Sequence, residues 1–600
     1  MPDDQNPIAG PGGLPRRDVL IGGGLAAAGL AAGSFAGSAG AAPRQDADVI
    51  VVGHGLAGLV AATELAAAGR KVIVVDQESR QNLGGQAHWS LGGLFFVNSP
   101  EQRMWNIRDS VELARQDWFA SAGFDRGTHD RLGEDYWARQ WAEEYLDFAA
   151  GEKRSWLERK GVHWVPVVGW AERGGTSASS HGNSVPRFHM TLGTGPGVVE
   201  PFRNAALDAE RRRRITFKFR HCVDELIVSD GRITGVRGTR LVPSNRPRGV
   251  ATSRRRVGDF ELHAPITIVA SGGIGANHEL VRANWPDRLG SPPKTLVTGV
   301  PAHVDGRMLA IAETAGARLV NRDRMWHYTE GIKNHSSVWP DHGIRVLAAP
   351  SSMWFDAEGN RFDSPAFPSY DTIKTLEMIT KTGYDYSWFV LNKRIVAKEF
   401  VLSGSEQNPE LTRKDLAAYL ANRALDDVPA PVQKFLDKGV DFVQARSVDE
   451  LARKMNRLAH DDLIDAGRLR KQIVERDRQV GNPYTKDAQV MGIHNSRNFL
   501  GDNIVRTVEP HRILDPAAGP LIAIRMNILT RKTLGGLQTN LAGQVMNAGG
   551  RVVPGLYAAG EASGFGGGGL HGYNALEGTF LGGCLFSGRV AGRAAGRATA

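Results

Sequence analysis

The chain has 600 residues, of which 42% are hydrophobic, so it can bury a large core and is long enough for two domains. Lys and Arg outnumber Asp and Glu by 73 to 64, but the excess is thinly spread and no nucleic-acid-binding motif accompanies it, so we expect no nucleic-acid partner. The 2 cysteines, Cys222 and Cys584, are far apart and exclude a disulfide framework and a cysteine zinc site, and no metal site is predicted.

The first 42 residues have the character of an export signal. Arg16 and Arg17 precede an uncharged Gly/Ala-rich run over 19–42, which resembles a twin-arginine signal read by the twin-arginine export machinery. The glycines make the run only weakly apolar, and the small residues at 38–42 are typical of a site where an export signal is cleaved. We expect export to the periplasm or cell envelope, with no stable membrane span in the mature protein. A retained anchor and a cytoplasmic tail remain the alternatives.

A βαβ unit follows the signal. Residues 48–52 predict a buried strand, 56–68 a helix and 71–75 a second strand. The glycine-rich sequence of residues 53–58 lies between the first strand and the helix, which is the context that gives this pattern its meaning. The unit predicts dinucleotide binding.

Each glycine of this motif has a separate task. Gly53 allows the tight turn, Gly55 lets the backbone approach a pyrophosphate, and Gly58 lets the helix pack closely on the strand. Asp76 closes the second strand, where a carboxylate accepts hydrogen bonds from ribose hydroxyls. The motif residues predicted to contact the dinucleotide are Gly53, Gly55, Leu56, Ala57 and Gly58.

The rest of the chain alternates between two patterns. Strands are predicted at 215–219, 225–229, 233–237 and 265–270, and amphipathic helices dominate the region from 300 to 505. A glycine-dense segment closes the chain, and no internal repeat is present. We therefore expect interleaved domains: a signal over 1–42, a dinucleotide-binding domain formed by the two segments 46–300 and 511–600, and a substrate or cap domain over 301–510.

Further glycine motifs identify the type of dinucleotide. The segments 83–85, 90–93, 269–277 and 555–561, together with the first motif, resemble the fumarate reductase and 3-ketosteroid Δ1-dehydrogenase superfamily of FAD-dependent oxidoreductases. The resemblance covers nearly all of 46–600. It implies an α/β fold with a discontinuous Rossmann-like FAD-binding domain and an inserted α+β catalytic or cap domain. By the same resemblance, further FAD-binding residues are Gly84, Gly85, Ser90, Gly92, Gly93, Gly272, Gly560, Glu561 and Leu576.

The resemblance also assigns individual roles around FAD. The carboxylate of Glu561 would hold the ribityl chain, and the last helix, beginning near Gly578, would direct its N-terminus at the flavin. Val223 would contact adenine and Asp305 would complete the site, although a strand edge and a turn explain these two residues equally well. Some superfamily members attach FAD to a histidine where this chain has Gln86, so FAD is expected to be non-covalent.

The reaction is predicted from departures within the superfamily. Fumarate reductases clamp a dicarboxylate with cations, whereas this chain has Ala575 and Glu577 in one of those motifs and Tyr370 where the proton donor is expected. Ketosteroid dehydrogenases carry a tyrosine in that region and another in the C-terminal glycine-rich loop. By this resemblance Tyr370 would remove the α proton, and Tyr573 with the N–H of Gly578 would polarise the carbonyl.

Other assignments remain open. Tyr370 and Tyr573 could be structural, His571 could donate a proton, contact flavin or simply pack, and Tyr328 is a further candidate acid. We expect a dehydrogenase that acts on a CH–CH bond beside the carbonyl of a small apolar substrate, such as a 3-ketosteroid, with an electron acceptor that the sequence does not identify. The alternatives are a fumarate-type or enone reductase and a non-catalytic flavin redox partner.

Overall fold

The structure is a computed structural model that describes residues 45–174, 182–424 and 427–600. Residues 45–600 form one compact unit. The predicted export signal, residues 1–42, lies outside the described residues. Within the described ranges, no helix combines the length and apolar character that crossing a bilayer would require.

Strands and helices are interspersed along the described residues. The strands are β1 (Val49–Val52), β2 (Val72–Asp76), β3 (Gly93–Phe95), β4 (Trp164–Gly169), β5 (Phe188–Thr191), β6 (Ile215–Phe219), β7 (His221–Ser229), β8 (Arg232–Leu241), β9 (Arg256–His263), β10 (Ile266–Val269), β11 (Val297–Thr298), β12 (Leu319–Val320), β13 (Met325–Lys333), β14 (Gly343–Leu347), β15 (Met353–Phe355), β16 (Tyr386–Asn392), β17 (Val401–Leu402), β18 (Phe442–Ala445), β19 (Leu521–Thr533), β20 (Gly536–Leu537), β21 (Gln544–Met546) and β22 (Val552–Ala558). The α-helices are α1 (Leu56–Ala67), α2 (Pro100–Met104), α3 (Val111–Ala122), α4 (Tyr136–Ala150), α5 (Lys153–Glu158), α6 (Thr194–Arg211), α7 (His278–Ala283), α8 (Arg307–Thr314), α9 (Thr372–Lys381), α10 (Lys393–Glu399), α11 (Pro409–Thr412), α12 (Leu416–Ala424), α13 (Ala430–Lys438), α14 (Val448–Ala459), α15 (Ala466–Val480), α16 (Ala488–Asn498), α17 (Leu500–Val505) and α18 (Thr579–Ala598).

A six-stranded sheet carries the dinucleotide-binding unit. Its order is β21-β22-β10-β1-β2-β6, and all neighbours except β21 and β22 are parallel. The β1–α1–β2 crossover is the predicted βαβ unit, and β1 is buried at all four residues because helices cover both faces of such a sheet. Since β22 comes from the C-terminal region of the chain and pairs with β10, the domain is discontinuous, as expected.

The second large sheet is mainly antiparallel. Its order is β15-β16-β19-β13-β14-β17, and β11 and β18 also pair with β19. The central strand β19 is 13 residues long and mostly buried. Since β19 follows residue 510, this sheet extends beyond the boundary predicted for the inserted domain. A long apolar strand fits either sheet by its sequence, and only pairing decides which one it joins.

Small residues bring the last helix against the first. A Cβ on Gly588 would lie 2.5 Å from the Ala57 carbonyl oxygen, and one on Gly592 would lie 2.7 Å from that of Ala61. Larger side chains would therefore push α18 away from α1. The close packing fixes the beginning of α18 beside the dinucleotide-binding motif.

Candidate active site

Four cavities adjoin one another from the carboxyl ends of the parallel strands to the second sheet. The first two, of about 470 and 570 Å³, share Gly53 and Asp76. The second shares Gln86 and Glu561 with the third, of about 780 Å³. The third shares Leu91, among others, with the fourth, of about 880 Å³. Shared lining residues therefore link the four cavities in one series.

The first three cavities gather most of the residues that the sequence assigned to the cofactor. Those residues are Gly53, Gly55, Leu56, Ala57, Asp76, Gly84, Gly85, Ser90, Gly92, Gly93, Val223, Gly272, Asp305, Gly560 and Glu561. Two others lie behind the walls. Gly58 packs on Gly53, where a Cβ would lie 2.0 Å from the Gly53 carbonyl oxygen. Leu576 is buried, and its carbonyl oxygen accepts a hydrogen bond from Thr579.

The second cavity is built for close approach to the backbone. Gly53 has φ +105°, and a Cβ there would lie 2.5 Å from the Ala270 carbonyl oxygen. Helix α1 begins after Gly55 without a side-chain cap. No capping side chain therefore accepts a hydrogen bond from its first N–H groups, which face the cavity. Such a helix N-terminus attracts an anion. The cavity therefore suits a diphosphate.

Asp76 stands between the first and second cavities. Its carboxylate accepts hydrogen bonds from the backbone N–H of His54 at 2.9 Å and of Glu78 at 2.7 Å. Burial acts to raise the pKa of Asp76, but the charge of His54 and these hydrogen bonds outweigh it and lower the pKa. An ionised carboxylate at this point can accept hydrogen bonds from ribose hydroxyls.

The third cavity holds a buried carboxyl and the start of the last helix. Glu561 accepts a hydrogen bond from the backbone N–H of Thr533 at 2.8 Å and another from the Gln86 side chain. Burial raises the pKa of Glu561. Gly578 precedes α18, which has no side-chain cap there, and both Gly578 and Phe580 line the cavity. A glutamine at position 86 offers no histidine for covalent attachment.

Comparison with known proteins agrees with this geometry. A sequence profile described as the FAD binding domain matches residues 48–581. The chain belongs to the FAD binding domain family. This flavoprotein is 60% identical over 536 residues to a KsdD-like steroid dehydrogenase of Mycolicibacterium smegmatis, with 89% of this chain and 96% of the relative covered.

Solved structures with low sequence identity share the fold of this flavoprotein. A 3-ketosteroid Δ1-dehydrogenase from Sterolibacterium denitrificans in complex with 1,4-androstadiene-3,17-dione has a TM-score of 0.63 and 16% identity, covering 92% of this chain and 99% of that one. A flavocytochrome c3 fumarate reductase in an open conformation has a TM-score of 0.59 and 20% identity, covering 93% and 79%. The α/β architecture with its inserted region is thereby confirmed.

FAD is the cofactor, and this flavoprotein is an FAD-dependent oxidoreductase. The residues present fit FAD in three ways: a glycine cradle that a Cβ would fill, a carboxylate placed for a ribose, and two uncapped helix N-termini. The second cavity would hold the pyrophosphate, and the third would hold the flavin ring. The fourth cavity then lies on the substrate side.

The fourth cavity is mainly apolar. Its apolar lining residues are Leu91, Val167, Val168, Trp170, Ala171, Phe188, Met190, Leu347, Ala348, Val401, Tyr419, Leu420 and Val505. Arg345 and Glu577 line both this cavity and the third, so they mark the junction between the two.

A tyrosine and a lysine form a pair on the wall of the third cavity. The Nζ of Lys532 donates to the Tyr328 hydroxyl at 2.7 Å, and it lies 4.1 Å from the centre of the Phe580 ring. Burial, followed by the charge of Arg531, lowers the pKa of Lys532 well below its usual value. Burial, followed by the charge of Glu577, raises the pKa of Tyr328 well above its usual value. Burial thus shifts both groups toward their neutral forms, and a hydrogen bond joins them.

A buried ion pair stands beside this tyrosine. Arg345 Nη1 donates to Glu577 Oε1 at 2.7 Å, and Arg345 Cζ lies 3.9 Å from the centre of the Tyr328 ring. Trp326 Nε1 also donates to Glu577 Oε1, at 3.3 Å. Burial acts to raise the pKa of Glu577, but the charges of Arg345 and Lys532 lower it. The junction therefore contains a guanidinium, a carboxylate and a phenol in contact.

The two tyrosines predicted for catalysis lie elsewhere. Neither Tyr370 nor Tyr573 is among the described residues that line the third and fourth cavities, although Ser369 lines the fourth. The Tyr573 hydroxyl donates to Asp125 at 3.0 Å, and Arg324 Cζ lies 3.9 Å from the centre of its ring. The placement of Tyr573 in this polar cluster does not support a role at the carbonyl. Their catalytic roles remain predictions that these contacts do not favour.

His571 packs behind the third cavity instead of lining it. It is fully buried and stacks on Trp118 with ring centres 5.7 Å apart, and its Nε2 lies 2.9 Å from Thr579 Oγ1. Burial lowers the pKa of His571 to about 3, so the ring is neutral at physiological pH. Gly578, in contrast, lines the third cavity, and its role at the carbonyl stays a prediction.

Sequence reasoning overlooked Arg345 entirely and gave Lys532 and Glu577 no positive role. The sequence did contain one indication of Arg345, which is a charged residue within an apolar strand. Arg345 is the charged residue of the otherwise apolar segment Gly343–Leu347, and such a residue is buried only with partners. The sequence pattern could not identify Glu577 as the partner of Arg345, because the two residues are 232 positions apart.

Proposed function

We propose that this flavoprotein dehydrogenates a CH–CH bond next to the carbonyl of an apolar ketosteroid. The observation that carries the proposal is the apolar fourth cavity, which opens onto the flavin cavity where the Tyr328–Lys532 pair stands. The name of the 60% identical relative, a KsdD-like steroid dehydrogenase, supports the same substrate class. An oxidoreductase also explains why proton-exchanging groups lie beside the flavin cavity.

The residues of the junction would carry out the proton chemistry. FAD, when bound, supplies the two-electron acceptor for the hydrogen that leaves the β carbon. Tyr328 would accept the α proton as its own hydroxyl proton passes to Lys532 Nζ, 2.7 Å away. This transfer requires Lys532 in its unprotonated form and a reversal of the hydrogen bond that Nζ donates in the resting state. The apolar wall of the fourth cavity would exclude water and hold the ring system against the flavin cavity.

The same cavities argue against a dicarboxylate reductase. A dicarboxylate needs free cations to bind it. At the junction, Arg345 is already surrounded by Glu577, Glu330 and Glu172 at 2.7 to 3.5 Å, and burial lowers the pKa of Lys532, which disfavours its charged form. Reduction of a neutral enone would reverse the same proton and electron transfers. The direction of the reaction must therefore be measured separately.

The test is anaerobic reduction of the bound flavin. Adding 4-androstene-3,17-dione to the oxidised protein should bleach the flavin absorbance and yield a product with one more C=C bond by mass spectrometry. Fumarate added to the dithionite-reduced protein should leave the flavin reduced. Reoxidation by fumarate without any bleaching by the ketosteroid would reject the proposal.

We also propose that residues 1–42 direct export through the twin-arginine pathway. The support is Arg16 and Arg17 followed by the uncharged run 19–42. A variant with both arginines changed to lysine should stay in the cytoplasm, whereas the unchanged protein should appear outside it with its FAD. Equal distribution of the two proteins between cell fractions would reject export by this route.

A further inference from the structure

Arg345 is a buried guanidinium whose donors are poorly satisfied. It is 4% exposed. Among the described residues, its side chain makes one hydrogen bond, from Nη1 to Glu577. Its Nη2 meets Glu172 and its Nε meets Glu330, each at 3.5 Å, and Nε has no hydrogen-bond partner. Since a guanidinium has five N–H donors and burying them unpaired is costly, this arrangement indicates a missing acceptor.

The position of Arg345 indicates where that acceptor would come from. Arg345 lines both the flavin cavity and the apolar fourth cavity. Its Cζ lies 3.9 Å from the centre of the Tyr328 ring. A ligand that fills the fourth cavity and extends its polar edge to the junction would therefore place an oxygen atom next to Arg345 and a neighbouring carbon next to Tyr328.

We propose that Arg345 binds and polarises the carbonyl oxygen of the ketone substrate. This inference rests on the proposed function. Glu577 and Glu330 hold the guanidinium at the junction and offset its charge, so the group that binds in the resting state is a neutral carbonyl. A charge-assisted hydrogen bond becomes stronger as negative charge develops on the oxygen, which favours removal of the adjacent proton.

The reaction balances with these residues in place. The α C–H bond breaks and its proton goes to the Tyr328 oxygen. The hydroxyl proton of Tyr328 passes to the unprotonated Nζ of Lys532, which reverses the hydrogen bond that joins the two residues in the resting state. The electron pair of that bond moves toward the carbonyl oxygen held by Arg345. As this charge returns to form the new C=C bond, the β hydrogen leaves with its electron pair to FAD, the oxidant of the proposed function. The substrate loses two hydrogens and two electrons.

The test uses estrone, a steroid whose phenol imitates the enolate of the substrate. With the wild-type holoenzyme, we expect the bound phenol to ionise about one to two pH units below the free phenol, as measured by ultraviolet difference absorbance. Arg345→Gln should abolish that shift, and Arg345→Lys should keep part of it. Because Arg345→Gln leaves buried carboxylates unpaired, the double variant Arg345→Gln/Glu577→Gln is measured as well. The exposed Arg470→Gln is the control and should match wild type.

The outcomes separate this inference from the proposed function. If wild type is bleached by the ketosteroid but Arg345→Gln and the double variant, both holding FAD, keep the phenol shift, then Arg345 does not bind the carbonyl. If kcat falls in these variants while the shift stays, its role is structural. If wild type binds neither estrone nor the ketosteroid, the proposed function fails and the inference fails with it.

Discussion

Replacing Tyr328 by phenylalanine should remove the proton acceptor without removing the ring. Phenylalanine keeps the contact with Arg345, whose Cζ lies 3.9 Å from the ring centre, but it leaves Lys532 without its 2.7 Å partner. Positioned proton transfer contributes about 10²- to 10⁴-fold to a rate, which corresponds to about 3 to 5 kcal/mol in the barrier. We therefore expect flavin reduction by the ketosteroid to slow by that factor while FAD stays bound.

The assay is anaerobic stopped-flow absorbance of the flavin at saturating ketosteroid. Lys532→Met should slow the same step, and the double variant should be little slower than either single variant, because the two residues act as one unit. Tyr386→Phe is the matched control, since its hydroxyl pairs with Asp461 outside the four cavities. Tyr370→Phe and Tyr573→Phe test the assignments made from sequence.

One result would refute the reasoning. If the rate of flavin reduction in Tyr328→Phe is within about threefold of wild type, while the rate in Tyr370→Phe falls by about 10²-fold or more, then Tyr370 accepts the α proton. A multiplicative loss in the Tyr328 and Lys532 double variant would show that the two residues act independently. In either case the proton would not move along the hydrogen bond that joins them.

Three further predictions concern the cofactor site and stability. Gly53 has φ +105°, and a Cβ there would lie 2.5 Å from the Ala270 oxygen, so Gly53→Ala should lose bound FAD, measured as the ratio of flavin to protein absorbance. Gly69→Ala is the control and should keep FAD, because Gly69 has φ +81° but no atom lies within 4 Å of its Cβ position. FAD should remain in the supernatant after heat denaturation, because position 86 is glutamine; flavin that precipitates with the protein would contradict this. Burial raises the pKa of Glu172 to about 8, so its contribution to stability is complete below the ordinary carboxyl pKa and is lost as pH rises through 8. Glu172→Gln should flatten the fall of Tm over that window, and an unchanged slope would contradict the assignment.

The sequence by itself determined the cofactor half of this protein. The residues of the βαβ unit are near one another in the chain, and turn geometry, strand burial and helix packing are local requirements that leave a readable pattern. Gly53, Asp76 and the later glycine pairs therefore predict the path of FAD, and the predicted strands at 48–52, 71–75 and 215–219 correspond to β1, β2 and β6. The start of α14 at Val448 is another local feature, because the Ser447 side chain accepts a hydrogen bond from the Glu450 N–H.

Only the tertiary structure brought together the groups that we propose to react. Tyr370 and Tyr573 were chosen by position relative to family motifs, whereas the junction of the cavities is formed by Tyr328, Lys532 and Arg345. These three residues lie on β13, β19 and β14, which are adjacent because strands distant in sequence pair in one sheet. A charged or phenolic side chain becomes chemically distinctive through burial and partners, and both are properties of the folded core that no local spacing records.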